Sequence, residues 1–221
     1  MKRKVVSAKW GTLALLSLAL LAATNIAYAA VVSIDIVGLF PDNQGDNGFY
    51  AQAYNPSSGI FRNLTRTAAY NFNTPGQTSV RPYVLKSSGQ VQLAPCVNGS
   101  IYGTEWSVLS WQVPQTGAYA VQGTFYGMLT GNSTTARIFV NTTAQTQFSA
   151  AVSGTNTVPF NIPVLNLNAG DFLRFAVDAG TSHSSDLTGL TGTITLVPEP
   201  GSLIAILTGL VGLGGLYRHR R

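Results

Sequence analysis

Through much of this 221-residue chain, apolar and polar residues alternate with a period of two. In AYAVQGTFYG, Tyr119, Val121 and Phe125 fall on one side, and Ala120, Gln122 and Thr124 on the other. In DFLRFAVDAG, Leu173, Phe175 and Val177 oppose Phe172, Arg174, Ala176 and Asp178. WSVLSWQVP aligns Leu109, Trp111 and Val113, while ARIFVN, GTITLV and VVSIDIVGLF have the same strand character. This period predicts half-buried β-strands. Turn residues separate the runs at Pro114–Gly117, Gly131–Ser133, Asn141–Thr143 and Asn168–Asp171. No long helical period occurs between Ala30 and Val197, so an all-β antiparallel sandwich or barrel is expected there. The stretch Asp42–Gly76 shows the weakest alternation and reads as loop-rich.

The two ends follow other rules. Residues 1–29 begin with Lys2-Arg3-Lys4, continue through an apolar Gly11–Ala23 core, and close on Ala27-Tyr28-Ala29. A basic start, a short apolar core and a small-x-small site make a secretory signal peptide, cut by signal peptidase between Ala29 and Ala30. At the other end, Pro198-Glu199-Pro200 precedes Ser202–Tyr217, 16 residues without a charge, and then Arg218, His219, Arg220 and Arg221. As a helix this stretch would be ~24 Å long, a marginal span of a ~30 Å hydrocarbon core. The arginines would remain on the cytoplasmic side.

This tail resembles the PEP-CTERM sorting domain: a Val197-Pro198-Glu199-Pro200 motif, an apolar helix and a basic end, in a chain that begins with a signal peptide. The resemblance implies recognition by exosortase, transient residence in the inner membrane, and delivery to the cell surface or to an exopolysaccharide matrix or biofilm. A permanent C-terminal anchor is the alternative. The span Val91–Leu196 is similar to a jelly-roll sandwich of exported bacterial proteins. It shares the Trp strand ending in Val113-Pro114, the Gly117-x-Tyr119 opening, the Ala169-Gly170-Asp171 turn, and Asp186 before the last strand. The expected organisation is therefore a signal peptide (1–29), a jelly-roll-like antiparallel β-sandwich (30–197) and a sorting segment (198–221), the end segments being helical.

Charge sharpens this picture. The formal net charge is +5, but Lys2, Arg3, Lys4, Lys9, Arg218, Arg220 and Arg221 supply seven of the 13 basic residues. Between Ala30 and Val197, six basic residues face seven acidic ones, leaving −1. The electrostatic footprint of a nucleic-acid binder is missing from the body.

Candidate chemistry is sparse. His183 in TSHSSD is the one histidine of the body, and neighbouring Ser and Asp residues rarely form a triad, so a polar hairpin loop is expected. Cys96 is the single cysteine and reads as buried and inert. PDNQGDNG lacks the closing Glu of a calcium loop and reads as a turn. Asp171, Asp178 and Asp186 lie near the ends of late strands, where turn chemistry is the first reading and a structural Ca²⁺ the second. No cofactor and no catalytic constellation is expected. Trp106 and Tyr102 are the candidate glycan contacts, since an aromatic face can stack on a sugar ring. The sequence thus points to an exported, non-catalytic protein with a structural or adhesive role among exopolysaccharides. A carbohydrate-binding module is the alternative, and an extracellular polysaccharide hydrolase a second.

Overall fold

The computed structural model describes residues 32–69, 71–73, 82–96, 104–179 and 186–198. Signal-peptide residues Ala27, Ala29 and Ala30 lie outside them, as do Glu199, Pro200, Arg218, Arg220 and Arg221 of the tail and the helices expected at both ends. Two single-turn 3-10 segments are the only helical pieces among the described residues.

The unit Ser33–Val197 is all-β and antiparallel. Its strands are β1 (Ser33–Asp35), β2 (Phe49–Asn55), β3 (Ile60–Asn63), β4 (Thr65–Ala68), β5 (Asn71–Asn73), β6 (Tyr83–Ser87) and β7 (Gln90–Ala94). They continue as β8 (Trp106–Gln112), β9 (Gly117–Gly127), β10 (Ser133–Val140), β11 (Thr146–Ser153), β12 (Thr157–Leu167), β13 (Phe172–Ala179) and β14 (Thr188–Val197). One sheet runs β12-β9-β14-β7-β6-β5-β4, with β1 also paired to β14; the other runs β11-β10-β13-β8-β2-β3.

The alternation read from the sequence builds the core. Leu109, Trp111, Leu173, Phe175 and Val177 of the six-stranded sheet meet Tyr119, Val121, Phe125, Leu190 and Ile194 of the eight-stranded sheet, all almost fully buried. Trp111 and Tyr119 meet edge-on at 5.5 Å between ring centroids, and the Tyr119 hydroxyl donates to the Gln115 carbonyl at 2.8 Å. An aromatic that brings a polar tip into a core needs such an acceptor.

Two expectations need correction. VVSIDIVGLF yields only the three-residue β1, because Asp35 Oδ1 accepts from the Val37 amide at 3.0 Å and turns the chain. Asp42–Gly76, expected to be loop-rich with strands hard to place, holds β2, β3, β4 and β5 among its described residues, and β2 lies between β8 and β3 in its sheet. Phe49–Asn55 hides its alternation because five of its seven residues are buried, on both faces of the sheet.

Local chemistry fixes the connections. Ser88 (φ 53°) and Gly89 (φ 77°) form the two-residue turn between β6 and β7, where both positions need positive φ. In the PDNQGDNG turn, Asp46 Oδ2 accepts from the Asn43 amide at 2.8 Å, and Asp42 pairs with Arg66 at 2.9 Å. Edge strand β12 carries Pro159 and Pro163, which cannot donate to a further strand.

Candidate functional site

The outward face of the six-stranded sheet departs from the polar surface that its alternation predicts. Register pairing arranges its side chains in rows. Phe61, Tyr54 and Trp106 form the first; Asn63, Gln52, Val108, Ala176 and Arg137 the second; Tyr50, Ser110, Arg174 and Phe139 the third. Val108, Ser110, Phe139 and Ala176 are fully buried although they point away from the core. Tyr54, Val108, Phe139 and Ala176 form a hydrophobic cluster of their own, with the half-buried Phe61 and Trp106 packed against it.

The rings are closely associated. Tyr54 lies 4.5 Å from Phe61 and 5.0 Å from Trp106, while Phe61 is 6.2 Å from Phe139 and Tyr50 5.7 Å from Phe172. Two guanidinium groups lie among them. Arg137 sits 4.7 Å over the Trp106 ring and binds Asp178 at 2.7 Å. Arg174 sits 3.7 Å over Phe61 and 4.7 Å over Phe172. Its Nη1 donates to Gln52 Oε1 (2.6 Å) and Ser110 Oγ (2.8 Å), and its Nε to the Asn141 carbonyl (3.1 Å). Ser110 Oγ in turn donates to Gln52 Oε1 at 2.7 Å, and Gln52 Nε2 to Asn63 Oδ1 at 2.8 Å. Burial pulls the Arg174 pKa down to about 10.

Such a face can hold a ligand that is apolar on its flat side and hydroxylated at its rim, the character of a sugar ring. It brings Trp106 and Asp178 together. Tyr102 and His183 lie outside the described residues. Sequence reasoning placed Arg174 on this side of its strand but missed it as a site residue, along with Tyr54, Phe61 and Arg137. The available signal was an arginine between two phenylalanines, FLRF, on a strand otherwise apolar through Val177.

The other carboxylates serve separate ends. Asp171, just before β13, accepts from Asn141 Nδ2 at 3.0 Å and from the Asn168 amide at 2.7 Å, and these bonds hold its carboxyl below the usual range. Asp178 stands seven residues further along the strand, roughly 23 Å away at ~3.3 Å per residue. Asp186 is buried and accepts from the Ser133 amide at 3.1 Å. Among the described residues no three His, Cys, Asp or Glu side chains gather closely enough to hold a metal ion. Cys96 is buried.

A shallow hollow of about 440 Å³ lies on the other sheet, lined by Gln122, Gly123, Phe160, Asn161, Gly192 and Thr193. Gly123 faces Gly192 across β9 and β14, and a Cβ at Gly123 would collide with the Thr191 carbonyl oxygen. The lining has no titratable side chain.

No family model and no curated protein matches the chain. Several solved structures are similar in part. A mutant of a family 29 carbohydrate-binding module is 12% identical, over 74% of this chain and 90% of that one, with a TM-score of 0.35. A family 61 module in complex with β-1,4-galactotriose is also 12% identical, over 77% and 90%, with a TM-score of 0.34. A family 36 module in complex with calcium and xylotriose is 13% identical, over 60% and 92%, with a TM-score of 0.29.

Proposed function

We propose that this chain is an exported, non-catalytic polysaccharide-binding protein of the cell surface or extracellular matrix, holding glycan on the outward face of its six-stranded sheet. The observation that carries this reading is the grouping of Tyr54, Phe61 and Trp106 with Arg137, Arg174 and Gln52 on a face where isolated polar residues would suffice for solubility. Rings offer stacking surface, and the amide and guanidinium groups offer donors to sugar hydroxyls. A hydrolase would need two acids across a cleft, whereas Asp178 is engaged by Arg137 and Asp171 lies just before the far end of that strand. The direct test is a glycan array followed by affinity electrophoresis. Trp106→Ala and Phe61→Ala should each abolish retention by the glycan that the unmodified protein binds. Retention that survives both changes refutes the assignment of this face.

The address is part of the same proposal. Signal peptidase would cut between Ala29 and Ala30, and exosortase would act near Pro198-Glu199-Pro200, consistent with the sequence signals at both ends. The sandwich spans Ser33–Val197, so neither cut would remove a strand. Intact mass of the protein from native culture checks this. A species from Ala30 to the Pro198–Pro200 region is expected, and one retaining Arg221 in the membrane fraction would mean a permanent anchor.

A further inference from the structure

The described residues include four arginines, and three have a carboxylate partner. Arg62 binds Glu105, Arg66 binds Asp42, and Arg137 binds Asp178. Arg174 has none, yet it is the most deeply buried of the four, at 7% exposure. Its donors can be counted. A guanidinium has five N–H groups. Both Nη1 hydrogens and the Nε hydrogen are spent on Gln52, Ser110 and Asn141. The two on Nη2 have no acceptor among the described residues.

A desolvated cation without a counter-ion is costly. Stacking on Phe61 and Phe172 offsets part of that cost, and the weak hydration of a guanidinium makes Arg the cation best suited to such a place. The acids that flank it in the chain are committed: Asp178 to Arg137, and Asp171 to Asn141 and the Asn168 amide. Nη2 is not among the buried unpartnered atoms, so an anionic oxygen brought from outside would meet it on a face already lined with rings.

We propose that the glycan bound on this face carries an anionic substituent, a uronate carboxylate or a sulfate ester, and that Arg174 is its counter-ion. This rests on the glycan-binding reading above. The net charge of −1 between Ala30 and Val197 gives a polyanion no general attraction, so the preference is local and sensitive to one residue.

The test compares three soluble polymers by affinity electrophoresis with the purified full-length protein: polygalacturonate, the same polymer after carboxyl reduction to neutral galactan, and a sulfated galactan. A charge-assisted hydrogen bond predicts about tenfold or greater preference for a charged polymer over the neutral one. Which charged polymer is preferred identifies the anion. Arg174→Gln should erase the preference, and a preference that persists in a folded Arg174→Gln protein overturns the role of Arg174. If that variant does not fold, the wild-type comparison still decides. Equal binding of charged and neutral polymers overturns the anionic proposal and leaves the glycan reading intact. Binding of none of the three overturns both for these backbones.

Discussion

On the outward side of the eight-stranded sheet, Thr191, Thr193 and Thr195 stand beside Thr124, Gln122 and Ala120, with Asn161 on one flank and Asp35 on the other. On the outward side of the six-stranded sheet, the corresponding positions hold Tyr54, Phe61, Trp106, Phe139 and two arginines. Both surfaces close the same core, so core packing does not explain the difference. That stretch of the first face is polar and needs only to be wetted. The second carries an ordered layer whose members bury one another, with Val108 and Ala176 excluded from solvent beneath it. A protein that commits rings and a guanidinium to the outside of a sheet has a second surface to satisfy, the one assigned above to the proposed glycan.

The largest test of this contrast is Phe61→Ala. Removing the ring that covers Arg174 and packs toward Phe139 should cost about 2 kcal/mol in thermal unfolding, beside loss of glycan retention. Thr193→Ala and Gln122→Ala, on the other face, should stay within about 0.5 kcal/mol. Similar losses on both faces would dissolve the distinction. A matched pair comes next. Asp178→Asn removes the partner of Arg137 from side chains that are 14% and 24% exposed, and should lower stability by about 1–2 kcal/mol in urea. Asp35→Asn on the opposite face keeps an acceptor for the Val37 amide and should change little.

The smallest effect concerns Asp171, whose folded pKa lies below its unfolded value of 3.8. Such a group stabilises fully above the unfolded pKa and loses that contribution as pH falls through the folded one. Stability measured from pH 5 downward, on the order of the carboxylate range, should therefore decline less steeply in Asp171→Asn than in the wild type.

Much of this architecture was legible where strands are solvated on one side. Leu109, Trp111, Tyr119, Val121, Phe125, Leu173 and Phe175 were assigned to one face by period alone, and they are the core. The period failed at FYAQAYN, because β2 is covered on both sides and a doubly covered strand has no polar phase to detect. β4 and β5 are too short to establish a period. For the site, Trp106 was visible as an aromatic out of phase with Trp111. Its neighbours were not, since Phe61 comes from a four-residue strand and meets Arg174, more than a hundred residues away in the chain, only through successive strand pairings. Chemistry assembled across a sheet leaves no spacing in the chain.

Strand β14 has a mechanical consequence. It is bonded on both sides, to β9 along ten residue pairs and to β7 and β1 along three each. Any load applied to the chain beyond Val197 therefore enters through a strand clamped from two directions. An edge strand peels away one bond at a time, whereas drawing β14 along its axis loads the hydrogen bonds of both ladders together. On the proposed function, glycan held on the opposite sheet would pull through the aromatic core against β14, and whatever holds the chain beyond Val197 would take up that load.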